Sequence, residues 1–137
     1  VATFNKFQGF VGYVGLTGMD LNTDLLKVFL TNSVPSASLD DVFTDLTDLT
    51  TANGYTAGGE DSTNTYSETG GVGTLAGTDI VWTASGGSFG PFQYAVLYDD
   101  THASKPLIGW WDYGSAVTVL TGETFTVDFG ASILTLT

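Results

Sequence analysis

His102 is the only histidine of the chain, and any nucleophilic chemistry would have to centre on it and its setting, DDTHASK at residues 99–105. A triad would join it to Ser104 or Ser115 and to Asp99 or Asp100. No Gly-x-Ser-x-Gly elbow is present, and the ring falls in a polar hairpin tip where water would solvate it, so an exposed loop histidine is expected. Glu60, Glu68, Glu123 and twelve aspartates offer many carboxylate pairs of the kind glycoside hydrolysis uses, and three tryptophans could stack on sugar rings. Such enzymes work in a long cleft that this chain has little length to build, and a solvated acidic face accounts for most of these acids. Asp40-Asp41, Asp45 with Asp48, and Asp99-Asp100 put hard oxygen ligands on or near loops, which is calcium chemistry. The Asp-x-Asp-x-Asp-Gly loop is missing, however, and helix starts and turns use aspartate without a metal. No cysteine is available for a thiolate site, and no glycine-rich segment runs into a lysine and helix of phosphate-binding type. The expectation is a chain with no catalytic residue, no cofactor and no metal.

Trp110-Trp111-Asp112-Tyr113 points instead to recognition. Neighbours in a strand face opposite ways, so one tryptophan can fill a core while the other meets a second sheet, a loop or a partner. Two readings stay open: an exposed aromatic anchor, or two rings both covered within the monomer by the amino-terminal helix and a loop. The elements that would hold this pair are two strand-like runs, 92–98 and 106–111, joined by the DDTHASK tip as an antiparallel hairpin. Further strands are expected at 25–31, 79–83, 117–120, 124–129 and 133–136 from their β-branched and alternating character. Phe4, Phe7, Val11 and Val14 recur at helical spacing, and so do Leu39, Val42, Phe43, Leu46 and Leu49, which predicts two short helices. Residues 60–73, EDSTNTYSETGGVG, read as a long exposed loop with a weak edge strand near 65–67. With 22 threonines and 18 glycines, the pattern predicts an all-β fold: an antiparallel β-sandwich, jelly-roll-like, of seven or eight strands with one or two short helices.

At 137 residues the chain suits a single domain, 1–137, that buries about two-thirds of its unfolded surface. Fifteen acids against three lysines and no arginine give a net charge of −12. Phosphate backbones are held by Lys and Arg, so no nucleic-acid partner is expected. The same charge repels anionic lipid, and no apolar run approaches the ~20 residues of a membrane span, so no membrane partner is expected either. The first fifteen residues lack the charged, apolar, small-residue order of a signal peptide. The absence of cysteine favours maturation in a reducing cytoplasm.

FNKFQ near the start, then LNTDLLKVFLTNSVP, NGYTAGG, WTASGGSFGPFQYAVLYDDT, KPLIGWWDYGS and GETFTVDFG together resemble a group of small tailed-bacteriophage virion proteins, in the same order along most of the chain. The resemblance implies a capsid decoration, or cement, protein that docks on the outside of the head and bridges neighbouring major capsid protein subunits. It also implies manufacture in the host bacterial cytoplasm and residence on the virion. Self-association on the capsid is expected, a trimer before a dimer. A head-fibre or tail-associated module that binds host-surface glycans is the alternative on the same scaffold. The residues expected to meet a partner are Phe4, Phe7 and Phe10 of the amino-terminal stretch 1–16, Asp99, Asp100, His102 and Lys105 of the tip, and Trp110 and Trp111. Phe4, Phe7 and Phe10 lie on a glycine-weakened segment expected to order only against a partner, so deleting residues 1–7 is expected to spare folding.

Overall fold

The computed structural model describes residues 2–137. In chain order the elements are β1 (Phe4–Lys6), α1 (Gly9–Leu16), β2 (Leu26–Thr31), a 3-10 turn (Phe43–Asp45), β3 (Glu60–Asp61), β4 (Thr65–Thr69), β5 (Val72–Ala76), β6 (Ile80–Thr83), β7 (Phe89–Asp99), β8 (Leu107–Val119), β9 (Thr124–Val127) and β10 (Leu134–Leu136). The fold is all-β and antiparallel, with ten strands among the described residues. They form a five-stranded sheet ordered β1-β8-β7-β2-β3, a three-stranded sheet β10-β5-β4 and a two-stranded sheet β6-β9.

The expected hairpin is the centre of the large sheet. β7 and β8 pair from Phe89↔Val119 to Tyr98↔Leu107, and β2 lines the other side of β7 from Leu26↔Asp99 to Thr31↔Tyr94. These three strands carry apolar side chains on both faces. Leu26, Val28, Leu30, Ala95, Leu97 and Trp111 enter one core with Leu75, Ile80, Trp82 and Val127 of the two small sheets, which gives a sandwich-like arrangement. On the other face, Phe29, Tyr94, Val96, Tyr98 and Leu107 pack with Phe7 and Leu46. Register irregularities decide who faces where: a shift between Leu97 and Tyr98 sets Ile108 and Gly109 off as a bulge, and only then do Trp111 and Trp110 fall into the first and second cluster.

Both tryptophans are thus covered within the chain. Trp111 is 4% exposed and lies 5.0 Å from the Phe4 ring and 5.5 Å from Phe129, while Trp110 lies 4.6 Å from Phe7. Phe4 reaches its place because β1 pairs with β8 (Phe4↔Trp111, Lys6↔Gly109), and its ring occupies the space where a side chain at 109 would be. Gly109 is required there. The amino-terminal stretch is therefore a strand followed by a helix rather than one helix carrying Phe4 and Phe7, and its rings are core. Phe7 is fully buried and Phe10 is 1% exposed. They order against the sheet itself, which corrects the expectation of a segment waiting for a partner. Val1, the first residue of that stretch, lies outside the described residues.

The second predicted helix, built on Leu39 to Leu49, is not formed beyond the 3-10 turn. Aspartates capture the backbone that a helix would need: Asp45 Oδ2 accepts the N–H of Asp41 (2.8 Å) and Val42 (3.1 Å), and Asp40 Oδ2 accepts that of Ser36 (2.7 Å). The segment instead crosses the second face of the large sheet, bridging Val42 to Pro106 and Asp48 to Thr31. Residues 60–73 also differ from expectation. Gly70 and Gly71, both at positive φ (60° and 86°), join β4 and β5 in a two-residue hairpin, the geometry of a type I′ turn. The run expected at 117–120 is the far end of β8.

Trp111→Ala should cost about 3–5 kcal/mol in urea denaturation and Trp110→Ala, half-exposed at its edge, distinctly less. Gly109→Ala, forced against Phe4, should destabilise by about 1–3 kcal/mol, and removal of residues 1–7, which strips β1 and two core rings, should lower the melting temperature rather than spare it.

Candidate interaction surface

The elements proposed from sequence as contact surface, the amino-terminal segment and the β7–β8 tip, meet at one end of the molecule. α1 follows β1 after one turn of chain and buries Phe10 beneath it. From Phe7 to Met19 there is no acid, lysine or histidine, in a chain of net charge −12. The outer side of α1 is apolar and open: Val11 is 58% and Leu16 87% exposed, and a Cβ at Gly12 or Gly15 would touch nothing within 4 Å. The loop after β2 abuts the start of the helix through Gln8 N–H to Ala37 O (2.9 Å) and carries two more exposed apolar side chains, Val34 and Leu39.

The helix ends on Thr17, whose N–H (3.1 Å) and Oγ1 (2.6 Å) both donate to Tyr13 O. That leaves Thr17 Oγ1 as an acceptor for His102 Nε2 at 2.9 Å, while His102 Nδ1 accepts from Ser104 N–H at 3.1 Å. These partners assign a neutral Nε2–H imidazole. The ring is a donor to the threonine rather than a base aimed at it, so the contact is a strut from tip to helix, reinforced by the edge of Tyr13 at 5.6 Å.

The rest of the tip is held by charge. Lys105 Nζ donates to Asp100 Oδ1 at 2.5 Å and to Asp100 O at 3.0 Å, and Lys27 Nζ lies 3.7 Å from Asp100 Oδ2. Partial burial pushes the Asp100 carboxyl up, but the two ammonium groups outweigh it and hold it below the usual carboxylate range. Asp99 is fully buried, and its Oδ1 accepts the N–H of Thr101 (3.0 Å) and of His102 (3.2 Å).

Of the nine residues expected to meet a partner, His102, Asp100 and Lys105 are at the surface around the strut. Phe4 and Trp110 are half-buried in packing, and Phe7, Phe10, Asp99 and Trp111 are buried in the chain's own interior. The residues that sequence reasoning missed are Val11, Leu16, Val34 and Leu39. For Val11 and Leu16 the signal was an uncharged run of thirteen residues beginning at Phe7 in an otherwise acidic chain, where helical spacing alone did not tell the outer face from the inner one; Val34 and Leu39 lie outside that run and had no such signal.

A separate groove of about 690 Å³ lies on the second face of the large sheet, lined by Lys27, Phe43, Asp48, Leu49, Thr50 and Lys105 among others. Asp48 is fixed there, accepting from Tyr55 Oη at 2.5 Å and Gly58 N–H at 2.6 Å, and burial keeps its carboxyl above the usual range despite these bonds.

His102→Ala should cost about 1 kcal/mol, the loss of one exposed hydrogen-bonded strut, and should raise amide exchange at Thr17 and across residues 100–105 without changing exchange in β7, as read by hydrogen–deuterium exchange. No family model, curated protein or solved structure matches the chain.

Proposed function

We propose that the chain is a decoration protein of a tailed-bacteriophage head, which docks on the outer capsid surface and bridges neighbouring major capsid protein subunits. The observation that carries the reading is the open, uncharged face of α1 with exposed Val11 and Leu16, on a protein otherwise rich in acids; the sequence resemblance supplies the identity of the partner. An exposed apolar face of this kind on a small acidic protein suits a contact surface. The surrounding acids complement basic patches on a shell and keep the free protein soluble before assembly. A bridging contact repeated over a lattice of identical subunits gains strength by avidity, so even about 1,000 Å² per copy suffices. Copies clustered about a local symmetry axis, three before two, fit closed cyclic association. The role requires no catalytic step.

The groove beside Phe43 favours a second reading, a head-fibre or tail-associated module for host-surface glycans, because carboxylate, ammonium and hydroxyl groups beside an aromatic edge suit saccharide hydroxyls. Copy number per virion separates the two, since decoration needs hundreds.

Heads lacking decoration, sedimented with added protein, should carry it down, and far better than isolated capsid subunits bind it. The double variant Val11→Glu with Leu16→Glu should keep its stability within about 0.5 kcal/mol and bind at least about tenfold more weakly. Equal binding to monomeric capsid protein, or unimpaired binding by the double variant, would count against this surface.

A further inference from the structure

We propose that the recess between β1 and the turn after β9 is a socket for one lysine side chain of a partner protein. The butyl stem lies against Phe4, Trp111 and Phe129, and the ammonium meets the Asp128 carboxylate. The recess measures about 240 Å³ and is lined by these four residues together with Ser132 and Ile133 among others. Pockets for whole small molecules run to about 300–1,000 Å³, so this one suits a single side chain.

The chain's own packing forms the socket. Phe4 is held by the pairing of β1 with β8 (Phe4↔Trp111), and its ring meets that of Trp111 at 5.0 Å and 59°. Phe129 lies 5.5 Å from Trp111 at 44°. Rings inclined in this way do not close flat on one another. The turn that carries Phe129 is pinned at both ends: Phe129 N–H donates to Asp79 Oδ1 at 2.9 Å, and Ile133 N–H donates to Leu75 O at 2.7 Å. Asp128 Oδ1 accepts Gly130 N–H at 2.8 Å, which fixes the carboxylate on the same turn.

The lining selects the occupant. It is mainly aromatic and apolar, and its single charge is the exposed carboxylate of Asp128. Both ion pairs among the described residues use Asp100, so no lysine there neutralises Asp128. Burial first, then the Asp128 charge, push the Tyr113 hydroxyl up to about 12, so that charge is felt by a half-buried side chain rather than lost to water. Aromatic rings and a carboxylate both attract a cation, and a lysine stem adds the apolar length that an inorganic cation lacks. An acidic side chain would meet Asp128 and the field of a chain of net charge −12. The socket asks only for a partner that presents a lysine, and so stands apart from the capsid reading.

The test is an amide and indole NMR titration of the full chain with N-acetyl-lysine methylamide. The norleucine analogue serves as the uncharged counterpart, with ionic strength matched by sodium chloride. The lysine compound should saturably shift the Trp111 indole N–H and the amides of residues 128–133, and bind at least about fivefold more tightly than the norleucine one. Asp128→Asn, which keeps an oxygen for Gly130 N–H, should erase that preference and leave the response to the norleucine compound unchanged. No saturable shift at these resonances, equal binding of the two compounds, or a preference that survives Asp128→Asn would overturn the proposal. So would tighter binding of the arginine analogue, which would make the site one for a guanidinium.

Discussion

Everything in this molecule answers to one constraint: the three central strands β2, β7 and β8 are apolar on both faces. An antiparallel sheet commonly leaves one face to water, with alternating polar and apolar positions. Here Val28-Phe29-Leu30 and Ala95-Val96-Leu97 are fully buried runs, so both faces must be covered. The two small sheets cover one. The segment that returns from β2 through Leu46 covers the other, and β1 and α1 seal the β8 edge with Phe4, Phe7 and Phe10. The covers are short and irregular because each needs only to place a few rings, not to form an extended sheet of its own.

The covers are held in place by carboxylates. At least ten of the twelve aspartates, together with Glu68 and Glu123, accept backbone N–H groups in turns and loops. Such bonds satisfy amides that irregular segments leave without a ladder partner. The acidity of the chain thus has a structural origin as well as a surface one, and it explains how a protein with three lysines carries fifteen acids with few ion pairs. Among the described residues α1 is the one α-helix, and its uncharged run is where the acidic character of the chain lapses.

The helix whose open side is the proposed contact face packs at one end of this double-covered sheet. The His102–Thr17 strut joins that helix to the tip of the strongest hairpin, and the Asp100–Lys105 pair holds the tip itself together.

Local pattern by itself determined a good part of this protein. The alternation of Ile80 and Trp82 with exposed neighbours marks β6, the β-branched run after Leu25 marks β2, and the aromatic hairpin is legible in two apolar runs around a polar tip. The Gly70-Gly71 hairpin was equally local and was hidden only by its polar flanks. Other features had no local signal. Whether Leu39 to Leu49 coils into a helix depended on aspartates bonding their neighbours' amides and on two bridges to distant strands. The adjacency of Trp110 and Trp111 said that they face opposite ways, but which cluster each joins rests on a bulge at Ile108 and on rings brought from the amino terminus. Sequence period fixes which side chains share a face; only the folded chain decides what covers that face, because burial is a property of surfaces brought together from far apart in the sequence.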